Sequence, residues 1–180
     1  MKLVVISYPD LSREAAQWIN EVRAHHDSHA SLVAPHVTLV FPWETIDIEQ
    51  VTAHVADVAR QWTPIHICFD TVVRYADRLS PLSYAFLTAS TDAQPLISLH
   101  DQLYTGCLED ERMTDIPYLP HIRLGDFSEP ARCQRLVAEM RSHPIHIMAD
   151  IKTLEVAAVE QSCVRTIERI ALQSAAPSAT

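Results

Sequence analysis

Polar and apolar residues alternate through two short stretches that share a spelling, Pro35-His36-Val37-Thr38-Leu39 and Pro120-His121-Ile122-Arg123-Leu124. A period of two predicts strands, since successive side chains on a strand point to opposite faces. Proline suits a strand's first residue, where no ladder donor is needed. In the first stretch His36 and Thr38 share one face, and Val37, Leu39 and Phe41 the other. In the second, His121 and Arg123 face away from Ile122 and Leu124. Each strand is expected to bury an apolar face and to present a histidine beside a second polar group.

Around these strands the spacing becomes helical. Leu11, Ala15, Trp18, Ile19 and Val22 predict a first helix, capped by Asp10 or Ser12 and fading near His25-His26-Asp27-Ser28-His29. Ile48, Val51, Val55, Val58, Ala59 and Trp62 predict a second, opened by Asp47 and Gln50 as a capping-box pair and stopped by Pro64. A buried strand is expected at Lys2 to Ser7, the His36 strand should stop at Pro42, and two more strands should follow at Ile65 to Phe69 and Thr71 to Tyr75. Asp77 to Pro81 reads as a loop.

The order then restarts. A strand at Tyr84 to Thr88 precedes a helix opened by Pro95, with Leu96, Leu99 and Leu103 on one side. A charged connector, Glu109 to Tyr118, leads into the His121 strand. Ser128 and Pro130 should open a last helix, and strands are expected at Ile145 to Ala149, Ile151 to Val159 and Val164 to Leu172. The tetrapeptide Pro-Ile-His-Ile follows the second helix of each half, at Pro64 to Ile67 and at Pro144 to Ile147. A duplicated unit of strand, helix, His strand, helix and strand predicts an α+β fold. It should have two pseudo-symmetric lobes, antiparallel sheets lining a central cleft, and helices outside. Residues 1–172 are expected to form one bilobal domain, with 173–180 as a flexible C-terminal tail. The two His strands should lie side by side, or face each other, near the pseudo-axis.

The formal charge of −9 changes the list of partners. Broad electrostatic binding of nucleic acid needs a basic surface, so no extended nucleic-acid interface is expected. One phosphate gripped by a few local donors is compatible with that charge. No apolar run approaches the length of a membrane helix, and Ser7-Tyr8-Pro9-Asp10 arrives too soon for a signal peptide. Cys68, Cys107, Cys133 and Cys163 form no CxxC and are expected to be buried free thiols in a reducing cytosol. The expectation is a cytoplasmic monomer with no membrane partner.

Two imidazoles at one cleft can supply both a base to activate water and an acid to protonate a leaving oxygen, without a metal. Charge that develops on nonbridging phosphate oxygens needs donors beside each histidine. Thr38 offers a hydroxyl and Arg123 a charged fork. The paired His-x-Thr-like motifs, Leu99-His100 in the helix between them, and Pro120-His121-Ile122-Arg123-Leu124-Gly125 resemble the two-histidine (2H) phosphoesterases. That superfamily includes the 2′-5′ RNA ligase-like proteins and the cyclic nucleotide phosphodiesterases. The resemblance extends to about Leu172. It implies His36 and His121 as acid and base, and the residue two after each as a phosphate contact. The sequence departs from the family pattern at Arg123, where Thr or Ser is the rule. The implied activity is hydrolysis of a 2′,3′-cyclic phosphate or a 2′-5′-linked nucleotide or RNA end, with no metal or other cofactor.

Arg123 beside His121 should lower that imidazole's pKa by like-charge repulsion, which suits a base. His121 is accordingly read as the base and His36 as the acid, with the reverse assignment left open. Tyr118 is expected to stack on a base, whereas Phe41, Trp43 and Phe127 read as core. His66 and His146 read as strand residues in polar surroundings. His25, His26 and His29 read as a solvated helix end, since no metal-ligand frame accompanies them. The rival readings are a silent module that binds a nucleotide or RNA end, a 2′-5′ RNA ligase, and, weakest, a metallohydrolase.

Overall fold

The computed structural model describes residues 1–44, 47–77 and 80–173. Its elements run β1 (Lys2–Ser7), β2 (Asp10–Leu11), α1 (Arg13–His26), β3 (Val37–Glu44), α2 (Ile48–Ala59), β4 (Ile65–Phe69) and β5 (Thr71–Ala76). There follow β6 (Ser83–Thr88), α3 (Gln94–Leu103), β7 (His121–Phe127), α4 (Pro130–Arg141), β8 (Ile147–Ile151), β9 (Thr153–Val159) and β10 (Val164–Ala171). The predicted repeat is present in full. Part of the charged connector winds into a 3₁₀ turn at Gly106–Glu111.

One antiparallel sheet of seven strands runs in the order β10-β9-β1-β3-β7-β6-β5. The two His strands are its centre, and Val37 lies opposite Ile122. The strands that follow β4 and β8, namely β5 and β9, cross over between the halves. β5 pairs with β6 of the second half, and β9 pairs with β1 of the first. Each half therefore completes the sheet of the other. A second sheet, β2-β8-β4, also joins the halves, through β4 and β8.

Strand alternation sorts the large sheet's two faces. Leu3 and Val5 enter the main core, together with Val37, Leu39, Ile122 and Leu124. Val4 and Ile6 turn to the opposite face, where they meet Ala157, Val159 and Val164. The helices cover the first face through their apolar stripes, including Ile19, Val51, Val55, Leu96 and Leu136. The opposite face carries the cleft.

Local chemistry fixes the helix ends. Ser12, rather than Asp10, caps α1 by accepting from the Ala15 N–H at 3.1 Å, while Asp10 pairs with Asp150 in the small sheet. Asp47 caps α2 by accepting from the Glu49 N–H at 2.9 Å. The cap of α4 is Glu129, not Ser128, and it makes no side-chain capping bond. The last two predicted strand breaks shift as well: β8 begins at Ile147 and the break before β9 falls at Lys152.

The His36 strand does not stop at Pro42 but continues to Glu44. A register shift in the β1–β3 ladder explains the tolerance, because Phe41 and Pro42 have no partner in β1. The Phe41 N–H donates instead to the Tyr104 hydroxyl at 2.9 Å. The bulge also breaks the face assignment, since Phe41 turns toward the cleft rather than joining Val37 and Leu39. No helix among the described residues is long and apolar enough to cross a membrane. The predicted tail from Ser174 onward lies outside the described residues.

Candidate active site

The antiparallel pairing of Val37 with Ile122 dictates the geometry of the motifs. Both residues are fully buried on the core side. The residues on either side of them must therefore turn to the cleft face. In an antiparallel count, 36 falls against 123 and 38 against 121. Each histidine accordingly stands across from the companion residue of the other motif. His36, Thr38, His121 and Arg123 all line one cavity of about 310 Å³. A second space of about 490 Å³ adjoins it, sharing His121, Arg123, Tyr84, Phe86 and Phe41. The larger groove, about 530 Å³ and bordered by Trp18 and Met140, contains neither motif histidine.

Both imidazoles are held in the same way. His36 Nδ1 lies 2.8 Å from the Ala34 carbonyl, and His121 Nδ1 lies 2.6 Å from the Leu119 carbonyl. A carbonyl only accepts, so each Nδ1 carries the proton, and each Nε2 has a free lone pair in the neutral form. Burial pushes the His36 pKa down to about 4, with Arg23 and Arg123 adding to the effect and the Ala34 bond opposing it. Burial likewise pushes His121 down to about 4, assisted by His36 and Arg123 and opposed by the Leu119 bond. Repulsion from Arg123 was expected at His121; it reaches His36 as well, so it gives no ground for making only one of them the base.

The surroundings differ. His121 stacks on the buried Phe86 ring, with centroids 3.6 Å apart. Phe86 in turn stacks on Tyr84 at 5.5 Å and Tyr75 at 5.4 Å. His36 meets the edge of Tyr8, at 6.3 Å, and its side of the cavity is aliphatic, formed by Val4, Ile6, Val159 and Val164.

Arg123 reaches Asp27, with Nη2 2.7 Å from Oδ1, and its guanidinium lies 6.0 Å from the Tyr84 ring centre. Asp27 is the residue that ends α1. Its side chain is fully buried, and its Oδ2 accepts from Arg23 Nε at 2.8 Å. Burial would raise the Asp27 pKa, but Arg123, the His29 N–H and Arg23 together hold it below the usual carboxylate value. The end of α1 can sit this close because β7 has glycine at 125. A Cβ there would lie 2.8 Å from the His26 Cβ and 2.9 Å from its carbonyl oxygen. Ser28 anchors the same corner, its N–H donating to Asp126 Oδ1 at 2.7 Å.

Tyr118 has a different setting from the one its sequence position suggested. Its hydroxyl donates to the Thr38 carbonyl at 2.8 Å, and its ring stacks on His100 at 3.7 Å. His100 is itself buried and bonds the Leu39 carbonyl through Nδ1 at 2.8 Å. The pair therefore braces β3 from the core side, and the ring face that a base would use against His100 is taken. Among the described residues, three contributors escaped the sequence reading. Phe86 sat inside an ordinary apolar strand. Asp27 and Arg23 sat in a helix end dominated by histidines, where Arg23 follows Ile19 by four and so falls on the buried stripe. His66 and His146 have polar partners, as expected: Asp150 at 2.6 Å and the Cys68 thiol at 3.3 Å. No group of three or more His, Cys, Asp or Glu among the described residues is arranged to hold a metal ion.

The profile of the 2'-5' RNA ligase superfamily matches residues 11–161. A protein of Bacillus licheniformis named "Putative phosphoesterase" is 24% identical over 127 residues, covering 69% of this chain and 70% of that one. Its namesake in Geobacillus thermodenitrificans is 24% identical over 148 residues, 81% of each chain. Among solved structures, E. coli LigT complexed with 3'-AMP superposes with a TM-score of 0.62 at 20% identity, over 96% of this chain and 98% of that one. Kluyveromyces marxianus Usb1 shares the fold at a TM-score of 0.53 and 9% identity, over 95% and 97%.

Proposed function

Because this chain belongs to the 2'-5' RNA ligase superfamily, whose profile spans most of its length, we propose that it is a phosphodiesterase acting on a 2′,3′-cyclic phosphate or a 2′-5′-linked nucleotide or RNA end. The observation that supports this most is the matched tethering of His36 and His121. Each Nδ1 is committed to a backbone carbonyl, so each Nε2 is free for the cleft. One Nε2 accepts a proton from water as its oxygen attacks phosphorus. The other gives its proton to the departing ribose oxygen as the P–O bond breaks. Solvent then exchanges the two protons back. These residues need no metal for either step.

Both imidazoles are neutral near pH 7 in the free protein. An anionic phosphate between them favours the charged form of one, so substrate binding loads the acid. Thr38 and Arg123 supply donors to the nonbridging oxygens, where charge develops. The two pKa values are alike and do not choose between the roles; we assign His121 as base and His36 as acid, and the reverse assignment uses the same groups. The anchored Arg123 guanidinium favours a second reading, a module that binds a phosphate end without turning it over, since a fixed cation holds phosphate without assisting proton transfer.

Incubation with a panel of 2′,3′-cyclic nucleotides and 2′-5′ dinucleotides in EDTA separates these readings. Release of a monophosphate or a cleaved dinucleotide is expected. Tight binding without any product overturns the hydrolase reading in favour of the silent module. Joining of ends in place of cleavage identifies a ligase.

A further inference from the structure

Arg123 stands where the duplicated motif has Thr38 in the other half, and a long cation at that place needs more support than a short hydroxyl. Threonine has one rotatable bond to fix; arginine has four and carries large rotamer entropy. The structure provides an anchor. Asp27 Oδ1 lies 2.7 Å from Arg123 Nη2, and the Tyr84 ring flanks the guanidinium at 6.0 Å. The anchor itself is fixed. Asp27 has no exposed side-chain surface, its second oxygen is held by Arg23 Nε, and the His29 N–H donates to Oδ1 at 3.0 Å. Arg23 is locked in turn by its Nη2 bond to the Val33 carbonyl at 2.8 Å.

Two guanidiniums thus share one carboxylate, which leaves a net positive charge beside the cleft. Asp27 is too buried and too fully engaged to swing away, so it does not compete with an incoming anion for Arg123 as a mobile carboxylate would. It occupies one nitrogen of the fork, and the side chain stays 22% exposed where it lines the cavity. A guanidinium carries five N–H donors, so most of them are left for a ligand.

We infer that Asp27 is the positioning residue for Arg123, holding its guanidinium at the cleft wall so that its remaining donors meet a phosphate. The inference rests on the phosphate-binding part of the function proposed above. It does not depend on turnover. Asp27 touches no reacting atom in this account, and its effect on phosphate binding runs through Arg123.

The test is a double-mutant cycle read by calorimetric binding of 3′-AMP and, separately, of inorganic phosphate, using wild type, Asp27→Asn, Arg123→Thr and the double variant. Asp27→Asn should weaken binding of both probes about tenfold or more, the scale of a charged hydrogen bond lost from an ordered donor. Arg123→Thr should do the same, and adding Asp27→Asn to it should change affinity less than twofold. Wild-type affinity in Asp27→Asn overturns the inference. So do effects that multiply in the double variant, because a general structural role would persist without Arg123. A wild-type protein that binds neither probe overturns it too.

If Asp27→Asn fails to fold, side-chain NMR of the wild type replaces it. The Arg123 guanidinium, assigned by its loss in Arg123→Thr, should show slow rotation about the Cζ–Nη bond; free rotation overturns the inference. A wild type that binds the probes but hydrolyses none of the panel ends the hydrolase reading and leaves Asp27's role standing. Turnover with unaltered probe binding in Asp27→Asn ends the inference alone.

Discussion

The two half-sites share a backbone and a tethered histidine and differ in what surrounds that histidine. His36 and His121 each follow a proline, and each is tied by Nδ1 to the carbonyl two residues before it. Burial depresses both to about the same pKa. Beyond that the likeness ends. One histidine lies face to face with Phe86 against an aromatic wall; the other meets a tyrosine edge and an aliphatic wall. One motif ends in a hydroxyl, the other in a guanidinium anchored to a buried carboxylate. The common part is what proton transfer requires at both ends of a reaction. The divergent part is what would distinguish the two ends of an asymmetric substrate, so specificity is expected to reside in the walls and companions.

The largest expected effect removes the common part. His36→Ala and His121→Ala should each lower kcat/KM by about 10²- to 10⁴-fold with the fold retained, as for general acids and bases elsewhere. The double variant should be little worse than either single one, since the two act as a unit. Steady-state kinetics on a cyclic nucleotide checks this, and a near-normal single variant would end the two-histidine mechanism.

Removing the aromatic wall comes next. Phe86→Ala empties a buried ring position under His121 and should cost about 3–5 kcal/mol of stability in urea unfolding. Phe86→Leu keeps most of the volume and loses the stack, so it should retain most of the stability yet bind nucleotides less well. If Phe86→Leu binds as the wild type does, the aromatic wall has no part in specificity.

Making the companions alike is a milder change. Arg123→Thr should weaken phosphate binding by about 1–3 kcal/mol, the range for a charged hydrogen bond and its loss. Thr38→Ala should cost about 0.5–1.5 kcal/mol, the range for a neutral one. Equal losses would mean that the fixed cation contributes no more than the hydroxyl does.

The last expected effect is on stability against pH. Two histidines whose folded pKa lies near 4, below the unfolded value of 6.5, leave the unfolded chain binding more protons between those limits. Stability should therefore be full above pH 6.5 and fall as pH drops from 6.5 toward 4. Asp27, held below its ordinary value, adds a further loss only at still lower pH. A His36→Asn, His121→Asn variant should show a shallower slope between pH 6.5 and 4 in urea midpoints; an unchanged slope would place the titration elsewhere.

Much of this was legible in the chain. The period-two pattern around Val37 and Ile122 was enough to place both strands, their buried faces and their meeting near the pseudo-axis, but it left open whether they pair side by side or face each other; the structure pairs them. Helical stripes located the four α-helices of the described residues. Three features were not legible, each for a physical reason. The bulge that turns Phe41 into the cleft depends on β1's register and has no local signature. Tyr118 looked like a stacking platform because its neighbour in sequence is the motif, but one face of its ring is covered by His100, eighteen residues away in α3. Asp27 meets Arg123 across almost a hundred residues, and the close approach rests on the missing Cβ of Gly125.

The crossing of β5 and β9 between the halves sets an order of events during synthesis. β1 is the third strand of the large sheet, yet the neighbour on its outer side is β9, at Thr153–Val159. As the chain emerges from a ribosome, β1 and β3 can pair early, but β1's far edge stays open until more than a hundred further residues have been made. β5 is spared this wait, because its partner β6 follows at once. The early half is thus the one exposed to edge-to-edge aggregation, and closure of its sheet by a contact of very long sequence separation should be the slow step of folding.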